Sequence, residues 1–282
     1  MQKTDFKPYH INASPEDLAG NQGIGRYIFL PGSDGRAKAI AEHFNELTVK
    51  NHPRGHHLYL GTLSSNGHII EVAATSSGMG CPSMEIILHE LFHLGAKRFL
   101  RVGTTGSLQP KEVFIGDYVN VAASVRDEST TRDYVPAEMP AIASNAFINS
   151  INHAANTMSL LDKVHTGIVH CKSSFYAREF GEGPRHSENM RYLELLQTYG
   201  VLASEMETAA LLVQSQLYNH QLNQKGKDVT HKVLCGALLA VLAIPFHAFA
   251  NKAEETEITN HLIALAIESV KTLANSESAA TS

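Results

Sequence analysis

The chain has 282 residues, 43% of them hydrophobic and 18% charged, and a formal net charge of −5. That length suits one large α/β domain or two small ones, and the acidic balance argues against a nucleic-acid partner, which calls for a basic excess. The three cysteines, Cys81, Cys171 and Cys235, are odd in number and far apart in sequence, so they suggest no disulfide framework and no CxxC metal site and fit a reduced, cytoplasmic setting.

The N-terminal stretch MQKTDFKPYHINASPEDL lacks the apolar core of a signal peptide. Tyr27 to Leu30 predicts a strand, followed by the turn Pro31-Gly32-Ser33-Asp34-Gly35-Arg36 and a helix through Phe44. Leu58–Leu63 and Ile69–Thr75 predict two strands about the turn Ser64–Gly67. A helix over Ser83–Leu94 carries Met84, Ile87, Leu88 and Leu91 on one face, and Gly95 ends it. Phe99–Val102 is a short apolar strand running into a loop, Gly103-Thr104-Thr105-Gly106. Further strands are expected at Val113–Ala123 and Val164–Cys171, and helices within Ala141–Met158, over Ser187–Tyr199 and from Ser204 to Gln214. Val233–Ala250 is the strongest apolar stretch. Pro245 and His247 interrupt it, so it predicts a buried strand over Val233–Leu242 and a loop, not a membrane span. Glu257–Ala274 is a terminal helix, and residues 276–282, SESAATS, are expected to be disordered. Strands alternating with helices indicate an α/β fold, and without a repeat or a flexible linker one domain over residues 1–275 is the simpler count.

Arg101, ending a strand beside glycines and threonines, is suited to holding an oxyanion: its guanidinium is a planar fork of donors, and glycines let backbone N–H groups approach. The segment therefore points to a phosphate-using enzyme. With it stand the glycine turn Gly32–Arg36 and the string Ser204-Glu205-Met206-Glu207, placed at the start of a helix. Together these three segments resemble the nucleoside phosphorylase family that includes uridine phosphorylases and hexameric purine nucleoside phosphorylases, over nearly the whole chain from about His10. The resemblance implies a central mixed, twisted and partly barrel-like sheet flanked by helices. It implies cleavage of a nucleoside by inorganic phosphate, a co-substrate, to (deoxy)ribose 1-phosphate and free base, with no organic cofactor and no metal.

By resemblance, Gly32, Arg36, Arg54, Arg101 and Thr104 bind phosphate; His10, Glu205, Met206 and Glu207 bind the ribose; Phe175, Glu179, Leu238 and Leu239 meet the base; and Arg101, Thr104 and Glu207 carry catalysis. His10 stands seven residues before Asp17, as does the histidine that family members lend to a neighbour's sugar, and Arg54-Gly55 resembles the segment whose arginine reaches a neighbour's phosphate. That implies a site shared across a dimer, and a hexamer of three dimers. A glutamate that some relatives use for potassium is replaced by Gly55, so no potassium site is expected.

Ser124–Asp127, Tyr134–Ala141 and Ser173–Tyr176 look more like uridine phosphorylases than purine enzymes, which makes uridine or a related pyrimidine nucleoside the expected substrate. The base-reading glutamine and arginine of those enzymes are Glu179 and Gly181 here, and their late Asn-Arg pair is Ala240-Val241. A carboxylate only accepts hydrogen bonds unless protonated, so Glu179 is not a simple replacement for glutamine, and Arg178 and Arg185 are the candidates to supply the missing donor. The alternatives are a purine or modified nucleoside, hydrolysis in place of phosphorolysis, and a nucleoside-binding relative without turnover.

His89-Glu90-Leu91-Phe92-His93 is an HExxH string, the signature of zinc peptidases, with both histidines on one helix face. That face is the polar one, shared with Glu85, and Ala96 and Phe99 stand where an extended zinc motif needs glycine and histidine. The string therefore reads as an ordinary solvated helix face.

Overall fold

The computed structural model describes residues 6–224 and 232–281, so the first five residues of the stretch read against a signal peptide, and Ser282 of the expected tail, lie outside the described residues. The chain begins with a short helix α1 (Pro15–Leu18), then β1 (Tyr27–Pro31), α2 (Asp34–Ala41), β2 (Asn45–Lys50), β3 (Leu58–Ser65) and β4 (His68–Ala74). It continues with α3 (Cys81–His93), β5 (Arg98–Ser107), β6 (Tyr118–Asp127), β7 (Ala141–Ile142), α4 (Asn145–Thr157) and β8 (Val164–Lys172). The last third holds α5 (Phe175–Phe180), α6 (His186–Thr198), β9 (Ala203–Glu205), α7 (Thr208–Gln224), β10 (Leu234–Ile244), β11 (Ala248–Phe249) and α8 (Lys252–Thr281).

These strands form one mixed sheet. β10, β6, β8, β9 and β5 are bonded in succession, and β10 also pairs with β5, so five strands close a ring. β1, β4, β3 and β2 extend the sheet from β5, with β1 parallel to both β5 and β4. Alternate residues of each strand feed two cores. Phe99 of β5 and Ala237 and Leu239 of β10 pack with Met84, Leu88 and Leu91 of α3 and Leu211 of α7. Leu100, Val102, Leu238 and Ala240 pack on the other face with Ile40 of α2, Phe147 and Ile151 of α4, and Leu262 and Ala266 of α8. The period-two alternation of strand side chains is what allows two helical layers to share one sheet.

Several boundaries differ from the sequence expectation. Gly103–Gly106 is not a loop but the second half of β5, paired with β10 and, at Gly106, with Ser204 of β9. A Cβ on Gly103 would stand 2.7 Å from Leu239 and 2.8 Å from an Arg101 nitrogen, so this glycine serves close approach within a strand. The strand expected from Val113 begins only at Tyr118, because a turn over Phe114–Asp117 with Gly116 at φ +92° precedes it. β2 was not expected from the sequence: its alternation is short, with only Leu47 and Val49 apolar, its residues are exposed or half-exposed, Glu46 takes φ +53°, and the pairing with β3 slips between Asn45 and Thr48. Residues 276–281, expected to be disordered, continue α8; Glu277 there binds Arg98 at 2.5 Å and accepts from the Tyr27 hydroxyl at 2.8 Å. Cys81 and Cys171, distant in sequence, lie with their buried thiols 3.5 Å apart. Val233–Ala250 forms β10 and β11, and among the described residues no helix is long and apolar enough to cross a membrane.

Candidate active site

A cavity of about 470 Å³ opens over the ends of β1, β5 and β8 and the segment leading into α7. At one end it is lined by Gly32, Ser33 and Arg36 of the β1–α2 connection and by Arg101 and Thr104 of β5. Ser33 caps α2, its hydroxyl accepting from the Arg36 N–H at 3.3 Å, which brings the helix start to the cavity wall. Arg36 spends one Nη1 donor on the Val102 carbonyl at 3.4 Å, and its Nε is buried without a partner among the described residues. Arg101 is buried; Nε donates to Glu205 Oε2 at 3.2 Å, Nη2 to Glu207, and Nη1 finds no partner among the described residues. Burial, and then the Arg101 charge, push Arg36 below its ordinary pKa. Burial works the same way on Arg101, but Glu207 and Glu205 hold it above. A buried and a half-buried guanidinium with unfilled donors on one wall are chemically suited to receive a multiply charged oxyanion.

The two carboxylates on Arg101 have different tasks. Glu205 ends β9 and, from just before α7, its oxygens accept from the backbone N–H groups of Glu207 at 2.8 Å and Thr208 at 3.0 Å, and from the Thr208 hydroxyl at 2.5 Å. Burial would raise its pKa, yet Arg101 and these donors keep it low. Glu205, expected to bind ribose, thus has its acceptors engaged in positioning Arg101 and starting α7. Glu207 accepts the Gly80 N–H at 2.6 Å, and burial, beside the charge of Glu205, pushes its pKa up against the pull of Arg101. Glu207 and Met206 also line the cavity.

The far end is aromatic. Phe175 and Phe180 of α5 and Phe249 of β11 line it, with the Phe175 and Phe180 rings 5.3 Å apart. Lys172, at the end of β8, and Glu179 lie buried there with a 2.5 Å contact between Lys172 Nζ and Glu179 Oε2. Leu238 and Leu239, expected to meet the base, are instead core residues on opposite faces of β10. An irregularity between Val241 and Ala243 turns Leu242 and Ala243 to the cavity in their place.

A profile of the phosphorylase superfamily matches residues 26–223. The chain is 33% identical over 273 residues to a uridine phosphorylase of Treponema pallidum, an alignment covering 96% of this chain and 95% of that protein. The chain belongs to the phosphorylase superfamily. Among its relatives are a uridine phosphorylase of Escherichia coli, 30% identical over 218 residues (75% of this chain, 80% of that protein), and a DeoD-type purine nucleoside phosphorylase of Streptococcus suis, 37% identical over 205 residues (72% of this chain, 77% of that protein).

In this phosphorylase the expected residues other than Leu238 and Leu239 fall into two places. Gly32, Arg36, Arg101, Thr104, Phe175, Glu179, Glu205, Met206 and Glu207 line one cavity. His10 and Arg54 instead line a second, more polar depression with His56 and Pro82, next to the exposed Met79 that borders both. Glu90, the middle of the HExxH string, is buried and holds the N-terminal arm: it accepts the N–H groups of Tyr9 at 2.9 Å and His10 at 3.0 Å and contacts the His10 ring at 2.7 Å. His89 and His93 lie on the exposed face, and no metal-ligating cluster of three occurs among the described residues. Arg178 and Arg185, the candidates to supply a base donor, are engaged elsewhere: Arg178 with Asp127 and Asn189, and Arg185 with Glu188 on the surface. Lys172, Phe180 and Phe249 were missed in the sequence, the first because a single lysine after a strand carries no motif.

Proposed function

We propose that this enzyme transfers the pentosyl group of uridine or a related pyrimidine nucleoside to inorganic phosphate, releasing the free base and (deoxy)ribose 1-phosphate. The observation that carries the reading is the pair of unfilled buried donors, Arg36 Nε and Arg101 Nη1, in the cavity that also holds Glu207. Cleavage of the N-glycosidic bond builds positive charge at C1′, so a phosphate anion held beneath the sugar both stabilises that charge and attacks it. Arg36, Arg101, the Thr104 hydroxyl and the Gly32 N–H hold the anion, and such preorganised charge is commonly the largest catalytic effect. Glu207 and the Met206 backbone grip the ribose hydroxyls and fix its orientation. The arginine pair supplies the required charge, so the proposal needs neither metal ion nor organic cofactor.

The working unit in this reading is a dimer within a hexamer, each site receiving His10 and Arg54 from its neighbour. Support comes from the separation of these two residues from their own chain's main cavity, beside an exposed Met79. The purine alternative draws on the Streptococcus suis relative.

The test is base release from uridine, thymidine, inosine and adenosine, each with and without inorganic phosphate. Uracil released only with phosphate is the expected result. Phosphate-dependent release from a purine nucleoside alone would overturn the pyrimidine assignment, and release without phosphate would overturn phosphorolysis.

A further inference from the structure

Resting on that reading, the reaction has a second charge to manage. A phosphate oxygen bonds to C1′, the C1′–N bond breaks, and its electron pair passes into the base, where it is shared with a ring carbonyl oxygen. The proton brought by hydrogen phosphate ends on the base through solvent, which balances the step. Negative charge therefore grows on the base, away from the arginines that hold phosphate, and a donor there lowers the barrier.

Three cationic side chains line the cavity: Arg36, Arg101 and Lys172. Of these, Lys172 stands at the aromatic end, with Nζ 5.7 Å from the centre of the Phe175 ring. It is 1% exposed, and burying an ammonium is costly unless it is partnered. One of its N–H groups goes to the Ser204 hydroxyl at 2.8 Å. It also forms a 2.5 Å ion pair with Glu179 Oε2. An ammonium has three donors, and a carboxylate about four acceptor sites, so this pair keeps both kinds of capacity for a ligand. Ser204 and Glu179 engage two of the three ammonium donors, and the pair stands on a cavity wall. The cation of α5 itself, Arg178, is turned to Asp127 and Asn189, and Gly181, which caps that helix at φ +66°, has no room for a side chain: a Cβ there would stand 2.6 Å from His186.

We propose that Lys172 is a catalytic residue that donates to the carbonyl oxygen of the departing base, with Glu179 as the positioning residue that holds the ammonium and accepts a ring N–H. The base it serves has a carbonyl conjugated with the glycosidic nitrogen and a neighbouring N–H, as in uracil and thymine.

The experiment compares single-turnover phosphorolysis of uridine and 5-fluorouridine by the unmutated enzyme, by Lys172→Met, and by the double variant Lys172→Met/Glu179→Gln, which removes both buried charges together and so serves if the single variant does not fold. Fluorine stabilises the departing anion without help from the protein. The uridine rate is expected to fall about a hundredfold or more, as for loss of one oxyanion donor, and the 5-fluorouridine to uridine rate ratio to rise severalfold. A folded variant within threefold of the unmutated rate, or one that is slower with an unchanged ratio, overturns the role of Lys172 alone. No phosphate-dependent release by the unmutated enzyme overturns the proposed function and this inference with it.

Discussion

A Cβ added to Gly106 would stand 2.6 Å from Glu179 Oε1, so the bare backbone of β5 at this point is what admits the Glu179 carboxylate to the cavity wall. Gly106→Ala is therefore expected to push Glu179 aside. The clash falls on the end of a flexible side chain, so folding should survive. Misplacement of a positioning group by about 1 Å can cost on the order of a hundredfold, and we expect nucleoside kcat/KM to fall between about tenfold and that value while the KM for phosphate holds. Steady-state titration of each substrate checks the split.

Arg101 binds two buried carboxylates at once. Arg101→Ala leaves Glu205 and Glu207 facing each other without it, at a cost of about 3–5 kcal/mol for a broken buried pair. Turnover should be lost. Arg101→Lys keeps the charge but not the fork, and is expected to restore much of the stability in urea melts while phosphate saturation stays weak. Near-normal phosphate saturation in either variant would contradict the anion site.

Glu90 tethers the N-terminal arm through three consecutive backbone N–H groups, those of Tyr9, His10 and Ile11. Glu90→Ala is expected to lower hydrogen-exchange protection of these amides and to expose the arm to limited proteolysis without changing the melting of the sheet. The purified protein should carry no stoichiometric zinc by metal analysis; zinc at one per chain would revive the HExxH reading.

His170 is buried between Asp127 at 2.9 Å and the Ser204 hydroxyl at 3.0 Å. Burial lowers its pKa below the ordinary 6.5, although Asp127 pulls the other way. Between the folded value and 6.5 the unfolded chain therefore binds more protons than the folded one. Stability contributed by neutral His170 is complete above pH 6.5 and falls as pH drops through that window, by at most about 1.4 kcal/mol per pH unit. Urea melts at stepped pH should show this slope, and His170→Asn should lack it.

The α/β class and the helices carrying periodic apolar residues were legible because period and burial coincide, as in Met84, Leu88 and Leu91. Arg36 and Glu207 stood out only in combination with Arg101; each alone fits an ordinary solvated or capping role. The rest was hidden by what strings cannot encode. Glycine composition signals a turn, yet Gly103 and Gly106 are strand residues that make room for side chains. A single irregularity in β10 decides that Ala243, not Leu239, reaches the cavity. Lys172 and Glu179 lie on different elements, and their partnership exists only once β8 and α5 are placed.

β2, the outermost strand at one end of the sheet, is bent by Glu46 and slips its register against β3. Its sequence, Asn45-Glu46-Leu47-Thr48-Val49-Lys50, puts a charge near each end of the exposed edge. An unpaired strand is an invitation to any other extended chain, and a kinked, charged one is a poor template for pairing. The ring of five strands offers no such border around the chemistry, so resistance to edge-to-edge aggregation rests in this region on six residues remote from the cavity. Straightening β2 with apolar substitutions would be felt first as precipitation at high concentration, with the catalysis of the remaining dissolved enzyme unchanged.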